Sequence, residues 1–136
     1  MERVLRTTAW WAPLAVLLLA WCIGRTHIAH EIWWLFHVVG GIALAGFFLA
    51  GIDALRVVHP VARYVVAFAL ACSGALGWEL MEFAVDQLSG THLQEGLVDT
   101  MSDLMLSVCG AAVYLGYAAL PRRERKAGEQ AARRAG

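Results

Sequence analysis

Polar residues divide the chain into four long apolar stretches, at about 9–24, 32–52, 61–85 and 97–120. Each approaches the roughly 20 residues a helix needs to cross the hydrocarbon core of a bilayer. None of the four alternates with period two, and lipid otherwise admits strands only as closed barrels. The pattern therefore predicts an all-α polytopic membrane protein. Four transmembrane helices fill a domain at 1–120, and a polar, basic tail follows at 121–136.

Charge placement gives these spans a direction. Arg3 and Arg6 precede the first, Arg56 and Arg63 flank the second connection, and Arg122, Arg123, Arg125, Lys126, Arg133 and Arg134 fill the tail. Only Arg25 falls on the other side. Cytoplasmic loops collect Lys and Arg, so both termini are expected inside, with the connections at 25–31 and 86–96 facing outward. The basic start followed by Leu19-Ala20-Trp21-Cys22 imitates a lipoprotein signal peptide. Trp21 stands where cleavage requires a small residue, so the segment is read as a retained helix.

Composition sharpens the picture in two ways. Hydrophobic residues make up 60% of the 136 and charged ones 16%, more apolar surface than a soluble domain of this size can bury. A net charge of zero removes nucleic acid from the partners, since that wants a basic face; membrane lipids take its place. Cys22, Cys72 and Cys109 lie in separate spans without a CxxC spacing, as packed side chains rather than a redox pair. Glycines at 40, 41, 46, 51, 74, 77, 110 and 116 mark places where helix backbones can approach closely in lipid.

Hydropathy does not account for the ionisable groups in the last three spans. Glu79, Glu82 and Asp86 lie within an arc of about 60° on one helix. Asp99 and Asp103, four apart, share a face of the next, and His30 and His37 differ by only about 20° on the second. The third span runs outward and the fourth returns, so Asp99 is expected level with Asp86, and Asp103 level with Glu82 or Glu79. His37 is expected roughly 8 Å inside its helix. All of these groups converge in the outer half of the membrane.

A carboxylate facing lipid there costs a few kcal/mol, so the acids must line an interior or a wet cavity. Two carboxylates 6 Å apart repel by roughly 3 kcal/mol at an effective dielectric of 20. Either several remain protonated or a bound cation neutralises them. Oxygen ligands suit Mg, Ca or Mn, while imidazole shifts the preference toward Zn, Fe or Mn. The expected ligands of a divalent metal ion are His37, Glu79, Glu82, Asp86, Asp99 and Asp103, with His30 as a further candidate. Glu82 and Asp103 are the leading ligands and Glu79 the candidate base. Thr100 and Ser102 are expected to cap the fourth helix, or else to donate hydrogen bonds to the ligand carboxylates. His92, Gln94 and Glu95 lie on the outer loop, solvated or as a lid over the acids.

Trp78-Glu79-Leu80-Met81-Glu82-Phe83, together with Asp99-Thr100-Met101-Ser102-Asp103-Leu104-Met105 and Gly110-Ala111, resembles the paired motifs of the YjdF-like small bacterial inner-membrane proteins. His30 and His37 imitate that family's histidine pair, although the chain carries Ile32-Trp33-Trp34-Leu35-Phe36 between them. The likeness covers about 29–113 and extends more distantly to VanZ-like membrane proteins. It implies a bacterial cytoplasmic membrane location and supports the carboxylate positions, and it names no reaction.

Three functions fit these residues. The first is a cation-dependent site, as in a metal-dependent hydrolase or transferase acting on a lipid-linked or envelope substrate. The second is a proton- or ion-coupled transporter or channel assembled as a homo-oligomer. The third is a small membrane scaffold whose acids pair with the cations of another subunit.

Overall fold

A computed structural model describes residues 2–23, 29–55, 59 and 61–120, and the side chains of 10–20, 22–23, 32–55, 59 and 61–120. Four helices follow one another in the described residues: α1 (Glu2–Ile23), α2 (Ala29–Leu55), α3 (Ala62–Ser89) and α4 (Leu97–Ala119). The described residues contain no strand. Ile32–Leu55, Ala62–Ser89 and Leu97–Ala119 are long and apolar enough to cross a membrane; α1 contributes a shorter apolar segment, Trp10–Ala20. The helices outrun the hydropathy because backbone hydrogen bonding continues past the last apolar side chain. α2 accordingly starts at Ala29, which sets His37 about 12 Å inside it at 1.5 Å per residue, deeper than expected. Arg25, Arg56, the side chains of His30 and Glu31, and the tail at 121–136 lie outside the described residues.

α2 is the centre of the bundle. It packs against α1, α3 and α4, and α3 also packs against α4; among the described residues α1 meets α2 alone. The buried positions explain this. On α3 they are Ala67, Ala71, Ala75, Glu79 and Glu82, and on α4 Asp103, Ser107, Gly110, Ala111 and Leu115. On α2 they include His37, Gly41, Ala45, Leu49 and Ile52. Steps of three and four keep one helix face inward, and small side chains on that face let backbones close together where lipid supplies no hydrophobic drive. At Gly41 a Cβ would collide with the Ser107 backbone carbonyl, and at Gly110 with that of Val38. The α2–α4 contact is therefore backbone against backbone. Gly40, Gly77 and Gly116, by contrast, have nothing within 4 Å of an added Cβ. Large apolar side chains such as Val65, Leu80, Phe83, Met105 and Val113 point outward, as lipid-facing positions do.

Each inward stripe changes character along its length. Ala45, Leu49, Ile52, Ala67, Ala71, Ala111 and Leu115 form one apolar core, and beyond it the same faces carry His37, Glu79, Glu82 and Asp103. At the opposite end Arg63 bridges the helices. Its Nη1 donates to Asp53 Oδ1 at 2.9 Å and its Nη2 to the Tyr64 hydroxyl at 2.7 Å, which itself donates to Ala118 O at 3.1 Å. Arg63 thus joins α2, α3 and α4.

Candidate functional site

Three helices bring one imidazole and two carboxylates together. His37 comes from α2, eight residues after its start and one turn before Gly41, the residue that admits α4. That close approach carries Asp103, one turn before Ser107, up to the ring: His37 Nε2 lies 3.2 Å from Asp103 Oδ2. Glu79 ends the Ala67–Ala71–Ala75 stripe on α3, and its Oε1 lies 4.0 Å from His37 Nδ1. Each of the three offers a ligand atom within 4.8 Å of the others, and all three residues are buried. Metal–ligand bonds of about 2.0–2.2 Å set neighbouring donors apart by distances of this order.

The remaining acids of the expected set take other places. Glu82 is buried beside the trio at 5% exposure, and its Oε1 accepts a hydrogen bond from Trp78 Nε1 at 2.8 Å. It interacts electrostatically with Glu79, Asp103 and Asp99. Asp99, half-buried in the first turn of α4, accepts the Glu95 amide at 3.2 Å and faces the same group electrostatically. Asp86 stands apart. Its two oxygens accept the backbone amides of Leu93 and Gln94 at 2.8–3.0 Å and the Thr91 hydroxyl at 2.7 Å. The helix ends at Gly90, whose positive φ of 66° and N–H bond to Asp86 O turn the chain back over α3. Asp86 shares the helix face of Glu79 and Glu82, yet it serves the loop rather than the trio.

That loop reaches the site through Gln94. Its Nε2 donates to both the backbone carbonyl of Glu79 at 3.0 Å and the carboxylate Oε2 at 3.2 Å. A chain of contacts thus runs from Asp86 through the 93–94 amides and the Gln94 side chain to Glu79. Gln94 holds the Glu79 carboxylate from the loop, whereas His92 and Glu95 beside it are exposed. The Trp78 bond to Glu82 was signalled only by their four-residue spacing on one helix, which puts donor and acceptor a turn apart.

One imidazole and several carboxylates, buried together with no Lys or Arg beside them among the described residues, give the helical bundle a polar centre. The chain belongs to the family described as "Predicted membrane protein (DUF2238)", whose model matches residues 3–124. No curated protein and no solved structure matches it.

Proposed function

We propose that this chain is a four-span protein of a bacterial inner membrane, with its domain at 1–120 and both ends cytoplasmic, and that His37, Glu79 and Asp103 bind a divalent cation toward the outer leaflet. The observation behind this reading is the convergence of these three buried side chains from three different helices. Repulsion among Glu79, Asp103, Glu82 and Asp99 is relieved by a dication more fully than by any single hydrogen bond. The mixed nitrogen and oxygen donor set favours Mn or Zn over Ca and Mg.

With Glu79 among the residues that would hold the ion, Glu82 would be the carboxylate placed to accept a proton from an attacking water. The chemistry this would serve is hydrolysis or group transfer on a lipid-linked or envelope substrate, to which a bound dication would supply Lewis acidity. Within the family, the motifs around Glu79 and Asp103 favour a YjdF-like placement, with VanZ-like proteins further off.

A second reading draws on the ring of His37, both of whose nitrogens face a carboxylate. That geometry also suits a proton relay in a homo-oligomeric transporter. Metal content of the purified full-length chain, beside Asp103→Ala, separates the two. The metal reading expects a stoichiometric Mn or Zn in the first protein and its loss in the second. Neither protein holding a divalent ion, together with pH-driven flux in metal-free liposomes, would replace it with the relay.

A further inference from the structure

Between α1 and α3 the bundle is open to one side. α1 packs against α2 alone among the described residues, and the space left beside α3 is a cavity of about 160 Å³ whose walls include Val16 and Leu17 of α1, Leu44 of α2 and Trp78 of α3. His37 and Ser107 are the polar residues of the lining. An apolar cavity of about 150 Å³ stays dry and holds a benzene-sized ligand, because water finds too few partners on such walls. This one therefore has room for a short stretch of hydrocarbon. Its position between the apolar segment of α1 and the apolar spans of α2 and α3 makes lipid chains the apolar ligand at hand.

We propose that this cavity seats the hydrocarbon chain of an anionic lipid whose headgroup lies at the His37–Glu79–Asp103 group, a substrate assignment that rests on the metal reading above. The link is His37, which belongs both to the cavity wall and to the trio. The two nitrogens of His37 face Asp103 and Glu79, so an amphiphile whose chain fills the cavity brings its polar end up to the trio, which a wholly apolar ligand has no group to engage. The carboxylates repel an anionic head unless a dication stands between them, so head and cation are bound together. Entry is sideways from the bilayer, through the gap that α1 leaves beside α3.

Gly40 supplies the means to test this. It lines the cavity, and a Cβ there meets nothing within 4 Å, so Gly40→Leu grows into the space without striking the backbone. Val16→Trp fills it from α1, away from the trio. Gly77→Leu, equally unobstructed but outside the cavity lining, is the control.

The full-length chain, loaded with manganese, is reconstituted in phosphatidylethanolamine vesicles containing a phosphatidylglycerol with a diazirine in one acyl chain. It is photolysed and the adducts are mapped by mass spectrometry. We expect adducts on Val16, Leu17 and Leu44, lost in Gly40→Leu and Val16→Trp and kept in Gly77→Leu. Bound manganese and helical content should be unchanged in all three variants.

Adducts confined to outward residues such as Val65, Leu80 and Val113 in a manganese-loaded wild type would overturn the lipid assignment and leave the metal reading standing. So would cavity adducts that survive both filling variants. Cavity adducts in a protein that binds no manganese would overturn the metal reading and, with it, the placement of the headgroup.

Discussion

Arg63 and His37 hold matching places at opposite ends of one bundle: each is a basic side chain reaching across three helices. Around Arg63 the charges cancel. Asp53 takes one guanidinium nitrogen, the Tyr64 hydroxyl another, and the hydroxyl passes the connection on to Ala118 O. Around His37 they do not. Two carboxylates flank a ring that carries at most one positive charge, and Glu82 and Asp99 add to the same sign. The first arrangement is what stability alone selects, a cation matched by one anion, with one hydrogen bond from each terminal nitrogen of the guanidinium. The second costs stability unless something further binds, and sites kept at such a cost are characteristically functional.

The largest expected effect is a crossing of phenotypes. Under the proposed metal reading, His37→Ala removes a ligand and should weaken manganese binding at least about 100-fold, beyond the range that loss of an orienting partner gives. Arg63→Ala should leave that affinity unchanged and instead lower stability by about 2 kcal/mol, since Asp53 is left half-buried without its partner. Metal titration and thermal unfolding in detergent, run on both variants, check the two halves. Loss of binding in Arg63→Ala would break the separation of the ends.

Gly110→Leu should damage both ends together. Its side chain has to displace the Val38 carbonyl, prying α4 from α2 and moving Asp103 away from His37. Destabilisation of about 3 kcal/mol is expected, with metal affinity reduced in proportion to the misfolded fraction and beyond it. The same unfolding measurement, compared with Gly116→Leu at a position open to lipid, isolates the effect of the contact.

Gln94→Ala acts on one end only. Glu79 keeps its place on α3 but loses the amide that orients it, so manganese affinity should fall by about tenfold. Thermal unfolding of the metal-free protein should barely move, because Gln94 sits on a partly exposed loop. A fall comparable to that of His37→Ala would make Gln94 a ligand rather than an orienting residue.

Much of this was legible in the chain because lipid simplifies the problem. The apolar stretches around Ile32–Ile52, Val61–Val85 and Leu97–Leu120 became α2, α3 and α4, with ends shifted by several residues where polar side chains continue a helix. Helical arithmetic also brought Glu79, Asp103 and His37 to one level, because an antiparallel pair with a short connection has little freedom in register. The same arithmetic grouped Asp86 with Glu79 and failed there. Angles along α3 cannot show that Gly90 folds the chain back to occupy both Asp86 oxygens. The cavity was illegible for another reason: Val16 and Leu17 read identically whether they face lipid or line a hole. The alanines of α3 carry a weaker signal than the glycines, although Ala67, Ala71 and Ala75 make the inward face.

The smallest effect gives the sharpest form of the comparison, because the same chemical change should have opposite signs at the two ends. Asp53→Asn removes an anion that a guanidinium holds at 2.9 Å. The pair is partly exposed and solvent screens it, so the loss should be about 1 kcal/mol. Glu82→Gln also removes one negative charge, but from among Glu79, Asp99 and Asp103. The amide oxygen of glutamine can still accept the Trp78 N–H, so the hydrogen bond survives while the repulsion falls. Metal-free Glu82→Gln should therefore be more stable than wild type, by about 1 kcal/mol, as removal of a like-charged member from a crowded site commonly gives. In saturating manganese the advantage should shrink or reverse, since the dication offsets the repulsion that the substitution relieves. Thermal unfolding of both variants with and without metal measures all four values. If Glu82→Gln destabilises the metal-free protein as Asp53→Asn does, the acids at the His37 end are already balanced in the resting protein. The contrast between the two ends would then be one of packing and not of charge.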